Sequence, residues 1–258
     1  MAAHKKGGVM KVLDLFSGIG GFSLGLERAG METVAFCEFD KHAQKVLKKH
    51  WPDVPIHEDV RTLDGTRYRE SVDVVCGGFP CQDLSSAGQR SGFDGERSSL
   101  YREMLRIIGE CLPKYAIFEN VTGLLTGDDG RWFARFLYDL AQVGYDAEWH
   151  CISASYVGAS HQRDRVWVVA YPHSKRREGS FKESDKIKQY LQQFNGSISG
   201  VCELSDSNES PLLRVDDGVS GRMDRSLARQ RIKRLGNTVV PQIPEAIGRA
   251  IMAANEGE

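Results

Sequence analysis

Lys11-Val12-Leu13-Asp14-Leu15-Phe16-Ser17-Gly18-Ile19-Gly20-Gly21 is the stretch whose reading decides the fold. Lys11 to Phe16 is an apolar run of strand length, and Ser17 to Gly21 is a glycine-rich turn. Phe22 to Ala29 then reads as a helix closed by Gly30, with Leu24, Leu26 and Ala29 among its apolar positions. Strand, glycine turn and helix N-terminus together make a place where backbone N–H groups approach a ligand closely. Gly-x-Gly also occurs in ordinary tight turns, so the pattern takes its meaning from the residues downstream of it.

Thr33 to Cys37 is the next strand, and it ends at Glu38-Phe39-Asp40. Glu38 stands about 20 residues past the turn, where an acid at the end of a second strand accepts from both ribose hydroxyls. Asp40 reads equally well as the N-cap of a helix from Lys41 to His50, and the two roles are compatible. A short strand near Val54 to His57 reaches Glu58-Asp59-Val60, placing Asp59 to accept from an adenine amino group. Alternating strands and helices with acids at strand ends predict an α/β protein with a parallel, nucleotide-binding sheet.

A second focus lies at Gly77-Gly78-Phe79-Pro80-Cys81-Gln82-Asp83-Leu84-Ser85-Ser86-Ala87-Gly88, after the strand-like run Ser71 to Cys76. Gly77 and Gly78 allow a sharp turn, and Pro80 fixes one φ angle just ahead of the thiol. A cysteine at the mouth of a strand sits where open α/β sheets do chemistry, although a buried structural thiol is the bland alternative. Ser99 to Cys111 is a helix with Leu100, Met104, Leu105, Ile107 and Ile108 on its apolar face, ended by Pro113. Tyr115 to Phe118 is a strand leading into Glu119-Asn120-Val121. A glutamate there is costly unless it meets water or a ligand, or caps the next turn. Arg131 to Gly144 is a helix, and Glu148 to Ser153 and Arg165 to Tyr171 are two more strands. Between those strands, Arg163 and Arg165 alternate onto one face, as substrate clamps or as partners of Asp164 and neighbouring acids.

From His173 to about Pro211 serine, glycine, asparagine and charge dominate, apart from a short helical pattern at Glu183 to Phe194. Order resumes at Leu212 to Val219, followed by the basic run Arg222 to Arg234. Leu235-Gly236-Asn237-Thr238-Val239-Val240-Pro241-Gln242 then introduces a final helix, Ile243 to Ala254, with Pro244 in its first turn. The net charge of −1 does not by itself favour nucleic acid, but Ser174 to Arg234 holds 13 Lys and Arg against 9 Asp and Glu. Such a basic segment fits a phosphate-facing lobe or a solvated surface. The six cysteines show no Cys-x-x-Cys pair, so neither zinc nor a disulfide framework is expected. Met1 to Gly8 has no apolar stretch behind its lysines, and no run reaches the roughly 18 apolar residues of a span. A reduced, cytoplasmic protein without a membrane segment is expected.

In chain order these motifs are Phe-Ser-Gly-Ile-Gly-Gly, a strand-end Glu, a strand-end Asp, Gly-Phe-Pro-Cys-Gln, Glu-Asn-Val, Arg-x-Arg and Leu-Gly-Asn-x-Val. Taken together they resemble the DNA (cytosine-5)-methyltransferases from Val12 to Ile251, lapsing over the basic, serine-rich stretch. His161 stands where many members of that family have glutamine, but both arginines are retained. The resemblance implies a Rossmann-like, S-adenosylmethionine-dependent methyltransferase fold with a largely parallel sheet flanked by helices. It implies a catalytic domain over 1–172, a small target-recognition domain over 173–230, and a C-terminal helix over 231–258 that returns to the first. It assigns catalysis to Cys81, Glu119, Arg163 and Arg165. Cofactor binding falls to Phe16, Ser17, Gly18, Gly20, Gly21, Glu38, Phe39, Asp59, Val60, Pro80, Leu100, Asn237 and Val239. S-adenosyl-L-methionine is the implied cofactor, with S-adenosyl-L-homocysteine as its product. Double-stranded DNA is the implied partner of a monomer, with or without a cognate restriction endonuclease. An RNA cytosine methyltransferase, a binding-only homologue and a generic NAD-binding Rossmann enzyme are the competing readings. The last of these accounts for the first 60 or so residues alone.

Overall fold

The computed structural model describes residues 8–80, 100–159, 163–175, 189 and 238–255. Strand β1 (Lys11–Leu15), helix α1 (Gly21–Arg28), β2 (Glu32–Cys37), α2 (Lys41–His50) and β3 (Ile56–His57) form the first half. A 3-10 turn (Gly65–Tyr68) leads to β4 (Val74–Gly77), α3 (Leu100–Cys111), β5 (Tyr115–Val121), the short α4 (Gly123–Thr126) and α5 (Arg131–Gln142). Then come β6 (Tyr145–Ser153), β7 (Asp164–Pro172) and a terminal helix, here α6 (Gln242–Asn255).

The strands make one seven-stranded sheet in the order β3-β2-β1-β4-β5-β7-β6. The five strands from β3 to β5 run parallel, and β7 pairs antiparallel with both β5 and β6. Side chains alternate across the sheet into two apolar layers. Leu13, Leu15, Val75 and Phe118 pack with Met104 and Ile107 of α3 and Phe136 of α5. Val12, Val74, Ile117 and Trp167 pack on the other face with Phe22 and Leu26 of α1 and Ile243 and Ile247 of α6. Each fully buried large side chain, such as Phe118, Phe136 or Leu26, contributes about 1.5–3 kcal/mol.

Several details depart from the sequence reading; among them, β4 starts at Val74 and takes in Gly77 as a strand residue rather than a turn, and β6 starts at Tyr145 rather than Glu148. Phe16 leaves β1 with φ 53°, so the strand ends one residue early and the turn begins at Phe16. Leu24 is 37% exposed, because α1 turns that side toward a cleft rather than the core. Helix α5 stops at Gln142, with Gly144 at φ 91° beginning the turn into β6. Strand β5 runs on through Val121, because β7 lies alongside it as far as Val121↔Arg165. Glu119 and Asn120 are therefore strand residues, not residues beyond a strand end.

The order β2-β1-β4 makes a switch point, since the chain leaves β1 toward one edge of the sheet and β4 toward the other. Leu15 is in register with Gly77, and Gly77 with Phe118. A Cβ on Gly77 would stand 2.4 Å from the Leu15 carbonyl oxygen, so β1 and β4 approach as they do only because residue 77 is glycine. Gly77→Ala is expected to lower stability by about 1–3 kcal/mol through overpacking. A urea midpoint unchanged from wild type would contradict that contact.

The helix suggested at Glu183 to Phe194, the Leu212 to Val219 stretch and the basic run Arg222 to Arg234 lie outside the described residues, apart from Gln189.

Candidate active site

The glycine turn is held from both sides. Ser17 Oγ donates to the Asp14 carbonyl at 2.6 Å, and the Ser17 N–H donates to the Cys37 carbonyl at 3.2 Å. The Gly18 N–H donates to Glu38 Oε2 and the Asp40 N–H to Glu38 Oε1, each at 2.7 Å. Glu38 thereby ties the end of β1 to the end of β2. Burial pushes its carboxyl above the usual range, while the Asp40 and Gly18 N–H bonds oppose that rise. Gly18 has φ 55° and Gly20 φ 88°, and a Cβ on Gly18 would meet nothing within 4 Å. The outer side of the turn is thus open backbone. Beside it Phe39 is 73% exposed, an aromatic face next to a carboxylate. Asp40 caps α2, accepting from the His42 N–H at 2.7 Å, so Glu38 and Asp40 do separate work.

Asp59 and Val60 fall less neatly. Arg61 grips Asp59, with Nε 3.0 Å from Oδ1 and Nη2 2.7 Å from Oδ2, which holds the carboxyl below its usual range. The Val60 side chain is buried in the core, and its carbonyl accepts from Arg106 Nη2 at 2.9 Å. Leu100 opens α3, packed against the core, and Pro80 follows the buried Phe79.

Trp51 has no motif to announce it. Just past α2, it swings its indole back, donating from Nε1 to both Glu27 oxygens at 2.8 and 2.9 Å. A Cβ on Gly20 would lie 2.6 Å from that ring, so the ring backs the turn directly. The weak signal in the sequence is an aromatic placed straight after a helix, which says nothing about its direction.

On the other side of β1, Glu119 sits in β5 opposite Trp167 and is 9% exposed. Arg165 Nε lies 2.9 Å from Glu119 Oε1, without the alignment of a hydrogen bond, so Oε1 has charge nearby but no full donor among the described residues. Burial raises the Glu119 carboxyl, against the pull of Arg165 and Arg163. A Cβ on Gly78 would stand 2.9 Å from Glu119 Oε2, so that oxygen is tucked against the stem that leads to residue 81. Asn120 braces the same stem: its Nδ2 donates to the Phe79 carbonyl at 3.1 Å. Arg163 donates from Nη1 to the Thr238 carbonyl at 2.9 Å, which draws the returning segment over the turn. Val239 then presses on Gly21, where a Cβ would meet its carbonyl oxygen at 2.8 Å. A cleft of about 380 Å³ remains there, lined by Gly20, Gly21, Leu24, Arg163 and Val239.

Cys81, Ser160 to Gln162 and Asn237 lie outside the described residues. Of the described thiols, burial pushes Cys37 and Cys111 up to about 12 and Cys76 well above its ordinary value. Thiols so protonated are poor nucleophiles at neutral pH.

Residues 10–214 match the family described as C-5 cytosine-specific DNA methylase. The chain belongs to that family. Among curated methylases, it is 42% identical over 164 residues to the type II methyltransferase M.Eco47II of Escherichia coli, a match covering 63% of this chain and 39% of that one. It is 38% identical over 165 residues to M2.BsuMI of Bacillus subtilis, covering 62% of this chain and 42% of that one. The chain thus spans about two fifths of these relatives' length. A solved structure of the Entamoeba histolytica methyltransferase EhMeth shares the fold, with a TM-score of 0.62 at 16% identity over 96% of this chain and 99% of that one.

Methylases of this family use S-adenosylmethionine. The described residues fit such a group. Open backbone at Gly18, held by the Glu38 carboxylate, and an exposed aromatic at Phe39, next in sequence to Glu38, lie at the ends of β1 and β2. Trp51 backs Gly20, and beside Gly21 the cleft lined by Gly20, Gly21, Arg163 and Val239 leaves room for a ligand.

Proposed function

We propose that this protein transfers a methyl group from S-adenosylmethionine to carbon 5 of cytosine in duplex DNA. The observation that carries the reading is the register Leu15↔Gly77↔Phe118. It sets the glycine turn after β1, the stem that leads toward residue 81 after β4, and Glu119 in β5 beside one another at the switch point of the sheet, which supports the reading.

Carbon 5 of cytosine is too weak a nucleophile to accept a methyl group directly. Addition of the Cys81 thiolate at carbon 6 makes carbon 5 electron-rich, and later elimination of the thiolate, with loss of the carbon-5 proton, restores the aromatic ring. Glu119, raised by burial, would carry the proton that ring nitrogen 3 needs as charge develops. Arg165 would hold Glu119 and favour the anionic ring, while Asn120 fixes the carbonyl two residues before the thiol. Arg163 would close the cofactor cleft through Thr238 as well as face the substrate. When bound, S-adenosylmethionine supplies an electrophilic sulfonium methyl. Glu38 and Phe39 would bind its adenosine, with Asp59 at the margin. None of this can occur within a stacked duplex, so the base must be flipped out at a cost of a few kcal/mol. Residues 173–230, leading into the basic run Arg222 to Arg234, would read the target sequence.

Glu38→Ala is expected to weaken S-adenosylmethionine binding by about 1–3 kcal/mol, because the Gly18 and Asp40 N–H groups lose their acceptor along with the ribose. Asp59→Ala should cost less, since Arg61 already occupies that carboxylate. Equal calorimetric affinities for wild type and Glu38→Ala would misplace the pocket. The overall assignment is tested with labelled S-adenosylmethionine on duplex DNA and on tRNA. We expect 5-methylcytosine in the DNA digest. Label confined to tRNA would overturn the substrate, and no transfer by a cofactor-binding protein would overturn the activity.

A further inference from the structure

Helix α1 starts without a cap of its own. Its N-cap is Gly20, which has no side chain, yet the first-turn N–H groups still need acceptors. Asp14, on β1 and fully buried, fills that place: Ser23 Oγ donates to Asp14 Oδ2 at 2.7 Å, and the Ser23 N–H faces the same carboxyl. The Asp14 carbonyl meanwhile accepts from Ser17 Oγ at 2.6 Å. One residue therefore holds the glycine turn at both ends, at Ser17 before it and at Ser23 after it. The second carboxyl oxygen, Oδ1, is buried with no nitrogen or oxygen donor among the described residues, which leaves the weakly donating Cys76 thiol as the remaining group beside the carboxyl. A neutral acceptor would cap α1 without burying a charge. What the charge adds is a negative end beneath the helix N-terminus and beneath the turn that meets a sulfonium-bearing ligand.

We propose that Asp14 is a positioning residue for the cofactor, whose carboxylate caps α1 in place of Gly20 and sets the glycine turn, so that S-adenosylmethionine binds best when Asp14 is ionised. This rests on the proposed cofactor. The groups facing Asp14 are few. Ser23 on α1 and the Cys76 thiol on β4 favour ionisation, and Glu38 at the end of β2 opposes it. Phe36 of β2 and the buried Ile243, Ile247, Ala250 and Ile251 of α6 carry no titratable group. Glu245 of α6 is engaged by Arg28 and Arg249. Desolvation dominates and pushes Asp14 from 3.8 up to about 7.

The two consequences have opposite signs. Cofactor affinity rises as pH climbs through neutrality and the cap becomes charged. Folding stability behaves in reverse: the folded state holds a proton that the unfolded state has lost, so the contribution of Asp14 is present at low pH and fades as pH rises through about 7. A residue with only a structural role would move both together.

The test measures S-adenosylmethionine affinity by calorimetry and the melting temperature between pH 6 and pH 8.5, for wild type, Asp14→Asn, Ser23→Ala and the double variant. Wild-type affinity should tighten severalfold over that range. Asp14→Asn should bind about three- to tenfold more weakly at pH 8, with a flat profile and a melting temperature no lower than wild type. Ser23→Ala removes a donor to the carboxylate, so it should move the pH midpoint upward, and the double variant should bind no more weakly than Asp14→Asn. Wild-type affinity and profile in Asp14→Asn would overturn the proposal, as would losses that merely follow the melting temperature. If Asp14→Asn does not fold, an unmoved midpoint in Ser23→Ala overturns it alone. A wild-type protein that binds no S-adenosylmethionine at any pH would overturn the cofactor reading itself, and this proposal with it.

Discussion

Cys81→Ser is expected to lower methyl transfer on the order of a thousandfold or more while leaving S-adenosylmethionine affinity within a few-fold. A serine hydroxyl is scarcely ionised at neutral pH, so the addition to carbon 6 that activates the ring is lost. The proposed cofactor contacts lie elsewhere, on the Phe16 to Gly21 turn and at Glu38 and Phe39, and the stem below residue 81 keeps its brace from Asn120. The buried thiols cannot take over, since Cys37, Cys76 and Cys111 are all held protonated. Single-turnover kinetics on duplex DNA, with calorimetry beside them, separate the two effects. Transfer at the wild-type rate would remove Cys81 from the mechanism.

Glu119→Gln should lower kcat about 10²- to 10⁴-fold, the usual weight of a positioned general acid. The amide keeps the shape that Gly78 accommodates, but it cannot deliver a proton to the ring. The pH profile carries the sharper distinction. Burial raises the Glu119 carboxyl, so the protonated, donating form persists above the usual carboxylate range and is lost as pH rises past that raised value. Wild-type activity should therefore fall on the alkaline side of that transition, and Glu119→Gln should lack that limb. The same limb in both proteins would show that another group sets it, with Arg163, itself pulled downward by burial, as the first to examine.

Much of the fold was legible because it follows local rules. Helix α2 shows its cap at Asp40, β1 shows an apolar run into glycines, and α6 shows its buried Ala246, Ile247, Ala250 and Ile251. The antiparallel placement of β7 between β5 and β6 was not legible, because pairing direction is decided by the whole sheet. The same placement lengthened β5 past Glu119. In the site, Glu38 stood out by its spacing, while the engagement of Asp59 by Arg61 did not, since an exposed pair two residues apart leaves no periodic trace. Trp51 and Asp14 were hidden for a different reason. Each acts by touching the turn from a position whose own sequence neighbourhood reads as ordinary helix end or strand. The role of Arg163 on the Thr238 carbonyl joins segments 75 residues apart, which no local pattern reports.

Covalent catalysis by Cys81 on cytosine in DNA is the centre of the proposed mechanism, and 5-fluorocytosine tests it most directly. Once thiolate has added and the methyl group has been transferred, fluorine cannot leave carbon 5 as a proton would, so elimination stalls and the enzyme stays attached. Duplex DNA carrying 5-fluorocytosine at methylated positions should form an adduct that survives denaturation, only when S-adenosylmethionine is present, and peptide mapping should place it on Cys81. An active enzyme that binds the fluorinated duplex without forming the adduct, or an adduct on any other cysteine, would contradict that mechanism.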